Sequence, residues 1–425
     1  MKPTTSSFEE WTRARTVASY GTNAGTQEIP FQGWRHFKEA FTPEIVRRAI
    51  SSSPVPVSKS LDPFGGSGTT ALCSQFLGVR PATIEVNPFL ADLIEAKLCS
   101  YDLHSLASEF GSWINFSASD HVNPNEFFAG LPPTFVEPGK NDRWIFNYDV
   151  AARLAAYINA LEQVSCPKNR RLFKVLIGGI LTDVSNVVIS GKGRRYRGNW
   201  QDRKITTEQI DEYICEAVEA AAADIARFRA RSEMSYSIYR GSCLAHIDNV
   251  EAVDISIFSP PYPNSFDYTD VYNLELWMLG YLRNFEENQF LRRETLCSHV
   301  QVSRSFGARP TGSEILNETV LMLEAKRREL WNVRIPEMVA GYFSDLDRTV
   351  RSVASKLPRN GQIWMVVGDS RYAGVDIPVA AVMAELAYDA DLDVINVEPC
   401  RSMRSSAQQG GDPSLAETLV ILSRR

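Results

Sequence analysis

The chain has 425 residues, of which 44% are apolar and 23% charged, with a formal net charge of −6. This is ordinary for a folded globular protein, long enough for one large domain or two to three smaller ones. The negative balance speaks against a protein coated in nucleic acid but leaves room for a local basic face. The chain opens on the polar stretch MKPTTSSFEEWTRAR and holds no run of eighteen apolar residues. Neither a secretory leader nor a membrane span is expected, and the cytoplasm is the expected location.

Residues 1–30 are polar and rich in small residues, and predict an arm or loop. PEIVRRAI (43–50) reads as a helix with Pro43 in its first turn. A short strand to Leu61, a glycine turn and the helical spacing of TTALCSQFLG follow. PATIE is a strand ending in Glu85, and Asn-Pro then opens the helix LADLIEAKL. Strand, glycine loop, helix, strand, acid is the front half of a doubly wound α/β sheet.

Composition changes at 120–235. Loops rich in Pro and Asn lead to helices predicted near 148–165 and 169–186, a basic loop, and a long helix opened by the capping box of Thr206 with Gln209. From 236 the strand pattern returns in SIYRGSCLAHI and AVDISIFSPPY. A loop at 300–313 precedes helices near 316–331 and 336–356, the buried strand NGQIWMVVGDS and the helix PVAAVMAELAYDA. DLDVINVEP and ETLVILSRR close the chain as a hairpin-like pair. The expected architecture is a Rossmann-like doubly wound sheet carrying an inserted, mostly helical region. Its expected parts are an N-terminal arm with the cofactor half (1–120), the insertion (121–235) and a second catalytic half (236–425).

Two constellations carry chemistry. The first is Asp62, Pro63, Phe64, Gly65, Gly66, Ser67, Gly68, Thr69 and Thr70 between strand and helix. Glycines there let the backbone turn sharply and approach a ligand, and the helix N-terminus favours polar or anionic groups. A phosphate loop is excluded because no lysine follows Gly68. Glu85, about twenty residues on, can accept from ribose hydroxyls, so the cradle fits an adenosine-containing cofactor. Spacing alone does not reject a nicotinamide dinucleotide.

The second is Ser259, Pro260, Pro261 and Tyr262 at a strand end. Two prolines hold the turn rigid. The Ser259 hydroxyl and the Pro260 carbonyl can accept from an amino group, and Tyr262 offers a face for a base. An aromatic amine is a poor nucleophile because its lone pair is delocalised. Fixed acceptors draw it toward tetrahedral geometry and stabilise the charge that develops on methylation. This chemistry needs neither a metal nor a covalent intermediate. A base inside a duplex must be flipped out to reach such a pocket. The seven cysteines are dispersed without a Cys-x-x-Cys pair, which speaks against a disulfide framework or zinc site. A cysteine nucleophile would need a Pro-Cys loop, and the nearest approaches are Cys400 and the reversed pair at Cys166.

With these residues the chain resembles the amino-methyltransferases of bacterial DNA. DPFGGSGTT resembles their first motif, Glu85-Val86-Asn87-Pro88 the second and SPPY the fourth, catalytic one. HFKEAFTPEIVRRAI, with Phe37 and Lys38, resembles the motif that closes over the methionine part of the cofactor. RGSCLAHIDNVEAVD resembles the third motif, with Ser242 where Asp is common and Cys243 beside it. The resemblance implies S-adenosylmethionine as cofactor, duplex DNA as partner, and a target-recognition region between the two motifs. A cognate restriction or defence system is a further implied partner. Serine at the first position of SPPY implies the N4 of cytosine as target. The N6 of adenine is the alternative, and an RNA substrate a more distant one.

The most basic stretch is SGKGRRYRGNW (190–200). Basic and aromatic residues interleaved with glycines suit contact with phosphates and a groove. Lys192, Arg194, Arg195 and Arg197 are the expected DNA contacts, and Arg304 and Arg309 weaker ones.

Overall fold

The computed structural model describes residues 5–17, 21, 25–35, 41–190, 193–264, 266–403 and 415–425. In chain order the strands are β1 (Lys59–Asp62), β2 (Arg80–Glu85), β3 (Val187–Ser190), β4 (Gly193–Tyr196), β5 (Ser237–Arg240), β6 (Ile255–Phe258), β7 (Gln362–Gly368), β8 (Ser370–Tyr372), β9 (Val375–Ile377), β10 (Leu392–Met403) and β11 (Leu415–Arg424). Seven of them form one sheet in the order β10-β11-β7-β6-β1-β2-β5. β5, β2, β1, β6 and β7 run parallel, and β11 lies antiparallel between β7 and β10. The chain winds outward from β1 through β2 to β5, then returns to β6 and winds the other way. The strand order therefore reverses between β1 and β6, and ligands bind beyond the carboxyl ends of strands at such a point.

Both faces of the sheet are covered, which is why its central strands read as unbroken apolar runs. In β7, Trp364 and Val366 join one core cluster while Ile363, Met365 and Val367 join the other. In β11, Leu419 and Ile421 oppose Val420 and Leu422 in the same way. Full burial of each such side chain contributes about 1.5–3 kcal/mol, so a charge placed within IWMVV would break the sheet.

The helices of the middle region pack on the face that carries Pro43–Ser51, Thr69–Phe76 and Pro88–Leu98, and share one hydrophobic cluster with them. The contact is close: a Cβ added to Gly178 of helix Pro167–Ile180 would fall 2.5 Å from Phe89 Cε2. Arg171 on the same helix pairs with Asp92 at 3.4 Å and Glu95 at 3.1 Å. The opposite face carries Glu314–Ala325, Ile335–Lys356 and Val379–Asp389. No helix among the described residues is long and apolar enough to cross a membrane.

Some local expectations are corrected. The basic stretch is not a plain loop, because β3 and β4 pair antiparallel with Ile189 opposite Arg194. The helix expected at 169–186 is Pro167–Ile180. It starts two residues earlier because Pro167 suits the first helical position. It stops early because Ser185 turns its hydroxyl back to Thr182 O at 2.9 Å, a local bond that competes with helix. The capping box holds: Thr206 and Gln209 exchange side-chain bonds with each other's backbone N–H.

Candidate active site

β1 and β6 end side by side, and a cavity of about 370 Å³ opens over them. Asp62, Pro63, Phe64, Gly65, Gly66, Ser67, Thr69, Glu85, Val86, Asn87, Ser242, Cys243, Ser259, Pro260, Pro261 and Tyr262 all line it. Gly68 and Thr70 stand just behind. Gly68 adopts φ +80° as the cap of helix Thr69–Phe76, a conformation that favours glycine. Thr70 Oγ1 donates to Ile257 O at 3.0 Å and ties that helix to β6. Phe37, Lys38 and Lys192 lie outside the described residues.

The glycine loop is built by close approach. Gly65 N donates to Ile84 O at 2.9 Å, and a Cβ on Gly65 would sit 2.7 Å from Thr83 Oγ1. Beneath the loop, buried Lys97 donates to Ser67 O at 2.8 Å and Gln32 Oε1 at 3.2 Å, and burial lowers its pKa to about 7. Glu85 accepts from Gly66 N at 2.6 Å and Asn87 N at 2.7 Å. Asn87 in turn caps helix Pro88–Leu98 through Phe89 N at 3.0 Å. Asp62 accepts from Phe64 N at 2.9 Å. Burial pushes both carboxyls up to about 7, against the lowering effect of these N–H donors. Two carboxyls lining one cavity with lone pairs to spare suit a ligand that brings hydroxyls and positive charge. S-adenosylmethionine, with its ribose, sulfonium and ammonium, meets that description.

The Ser-Pro-Pro-Tyr turn is held from outside the motif. Ser259 Oγ donates to Tyr262 OH at 3.3 Å, and Tyr262 OH donates to Glu417 Oε1 at 2.8 Å. Glu417 is paired with Arg401, whose Nε reaches Oε2 at 2.7 Å. Tyr372 OH donates to Pro263 O at 3.0 Å and pins the chain beyond the turn. Aromatic residues that follow the motif, Phe266, Tyr268 and Tyr272, also line the cavity. Asp267 caps helix Tyr268–Val271 through Thr269 N at 2.9 Å and pairs with Arg292. Burial lowers the pKa of nearby His299, and Arg292 supplies a counter-charge to Asp267.

Thr295, Leu296, Ser298, His299, Arg401 and Glu417 line the cavity without any hint in the motifs. For Glu417 a signal existed: a lone acid inside the apolar strand LAETLVILSR, where burial is costly without a partner. Cys400, weighed as a nucleophile, lies in β10, and burial raises its thiol to about 11. That is the opposite of the lowered pKa an attacking thiolate needs.

In the basic hairpin the three described arginines differ. Arg195 is exposed. Arg194 lies half-buried over the Phe135 ring at 5.3 Å. Arg197 donates to the carbonyls of Thr182 at 3.0 Å and Ser185 at 3.2 Å. β4 packs against helix Tyr268–Val271, so the hairpin stands beside the cavity.

A glycine cradle, a strand-end acid and a Ser-Pro-Pro-Tyr turn meeting at the switch point of a Rossmann-like sheet define a methyltransferase architecture. Comparison with known proteins agrees. Over 434 aligned residues the chain is 24% identical to the type II methyltransferase M.AvaI of Nostoc sp., covering 93% of this chain and 86% of that protein. It is 23% identical over 466 residues to the type II methyltransferase M.BsoBI of Geobacillus stearothermophilus, covering 96% and 87%. No protein-family model matches. Among solved structures, the rRNA methyltransferase aviRa from Streptomyces viridochromogenes aligns over 99% of this chain and 92% of its own. The identity is 13% and the TM-score 0.32, too loose a likeness to add to the argument. The chain is a homologue of type II methyltransferases at low identity over nearly its whole length.

Proposed function

We propose that the protein transfers a methyl group from S-adenosylmethionine to the exocyclic N4 of a flipped cytosine in duplex DNA. The observation that carries this reading is the convergence of Ser259 and Pro260 with the glycine loop and Glu85 on one cavity. In this reading Glu85 receives the ribose hydroxyls, and the loop from Asp62 to Ser67 cradles the rest of the cofactor. The cofactor supplies an electrophilic methyl on a sulfonium. Ser259 Oγ and the Pro260 carbonyl accept hydrogen bonds from the two amine N–H groups, orient the nitrogen and stabilise its developing positive charge. Tyr262, Tyr268 and Tyr272 enclose the base and exclude water.

The insertion at 121–235 serves target recognition, with exposed Arg195 as a hairpin cation for a phosphate. Residues 1–120 and 236–425 are the two halves of the catalytic sheet. A restriction or defence nuclease is the partner this activity would protect against. The test is transfer of tritiated methyl from S-adenosylmethionine to mixed-sequence duplex DNA, with RNA in parallel. Label in DNA that disappears in Ser259→Ala supports the reading, and label confined to RNA overturns the choice of substrate.

A further inference from the structure

We propose that Glu417 is a positioning residue that sets the direction of hydrogen bonding at Ser259, so that the serine meets the target as an acceptor. This rests on the amine-methylation reading above. Glu417 stands opposite Arg401 in the β10–β11 ladder and beside Gly368 of β7, and is only 2% exposed. Arg401 holds its carboxylate from one side through Nε at 2.7 Å and a terminal nitrogen at 3.3 Å. A carboxylate so held has only lone pairs to offer. The Tyr262 proton must therefore point at Glu417, across 2.8 Å. Burial, then the Glu417 charge, push the Tyr262 phenol well above its ordinary pKa, which keeps that proton in place.

With its proton committed, the Tyr262 oxygen can only accept, and Ser259 Oγ donates to it at 3.3 Å. This contact is long for O–H···O, as catalytic contacts often are before substrate binds. Ser259 has one proton. Directing it at Tyr262 leaves lone pairs facing the cavity. An exocyclic amine brings donors to that point, whereas the keto oxygen of thymine or uracil brings an acceptor. The relay from Arg401 through Glu417 and Tyr262 thus favours amino bases over keto bases, because the wrong base leaves polar groups unpaired. A well-packed apolar residue would suit the interior of β11 better than a buried acid. Function accounts for its presence.

The test compares full-length wild type with Glu417→Gln, Tyr262→Phe and the double variant. kcat and KM are read for methyl transfer to duplex DNA, with cofactor affinity and thermal denaturation alongside. In Glu417→Gln, Arg401 keeps the amide oxygen and the amide NH2 faces Tyr262. The relay reverses, and the Ser259 proton points at the amine. kcat should fall about 100-fold with KM for DNA and cofactor affinity within about threefold. Removing the Tyr262 hydroxyl in that background frees Ser259 to rotate, so the double variant should recover about tenfold over Glu417→Gln. A merely structural Glu417 gives no recovery. A Glu417→Gln kcat within about threefold of wild type, or a double variant no faster than the single, overturns the proposal. The reading beneath it is tested separately by the wild type: a wild type that leaves base amines unmethylated removes both.

Discussion

Replacing Glu85 with glutamine tests the cofactor cradle where it is most constrained. The carboxylate already accepts from Gly66 N and Asn87 N, and it lines the cavity with lone pairs to spare. A hydrogen bond to a charged acceptor contributes about 1.5–3 kcal/mol, so Glu85→Gln should weaken cofactor binding by roughly 10–150-fold. The pH dependence has a definite sign. Burial holds free Glu85 at about 7, and the donors of a cationic, hydroxyl-bearing ligand favour the ionised form. The complex then binds fewer protons than the free protein, so affinity rises with pH up to about 7 and levels off above it. Between pH 6 and 8 the gain is about tenfold for each carboxylate that behaves this way. Asp62, also at about 7, adds its own share. Calorimetric titration with S-adenosylhomocysteine at both pH values, in two buffers of different ionisation enthalpy, reads affinity and proton release together. Glu85→Gln should lose affinity and part of the pH slope while thermal denaturation shows it folded. Affinity within threefold of wild type with an unchanged slope would refute the assignment.

Other consequences follow from the same geometry. Ser259→Ala should lower kcat by about 100-fold or more and leave cofactor affinity intact, as single-turnover kinetics and calorimetry would show. Arg195→Ala should reduce the salt dependence of DNA binding by about one unit without changing stability, measured by fluorescence anisotropy across a salt series. Arg197→Ala should cost about 1 kcal/mol in urea denaturation, since Thr182 O and Ser185 O lose their donor. For Lys97, burial lowers the pKa to about 7, whereas the unfolded lysine holds its proton to about 10.4. The unfolded state thus binds more protons in that window, and stability rises with pH there. Wild type should gain on Lys97→Met by up to about 1.4 kcal/mol per pH unit between pH 7 and 9. Parallel stability curves would contradict this.

What could be read from the sequence was what is local. Asp62 to Thr70 and Glu85 are legible because a glycine loop that touches both its own helix and the next strand demands those residues in succession. Ser259 to Tyr262 is legible because two prolines after an apolar strand leave few conformations. The unbroken run in β7 likewise announced a strand buried on both faces. Long-range partners were not legible. Glu417 meets Tyr262 across 155 positions, and Arg35 meets Glu275 at 2.5 Å across 240. Lys97 occupies a helical position that composition would assign to solvent, yet only the fold places Ser67 O and Gln32 above it. The hairpin of β3 and β4 escaped because glycines and charges at 191–198 outweigh the short strand signal of VVIS, and pairing is not a local property. The carbonyl partners of Arg197 were not legible for the same reason, since they belong to the turn before β3.

The central claim is that a base amine receives the methyl group. Purified protein incubated with S-adenosylmethionine and mixed-sequence duplex DNA, digested to nucleosides and resolved by mass spectrometry, tests it most directly. The account predicts N4-methylcytosine, absent when Ser259 is replaced by alanine. N6-methyladenine would keep the cradle and the amine chemistry but overturn the choice of base. 5-Methylcytosine, or DNA left without any methylated base, would contradict the claim itself.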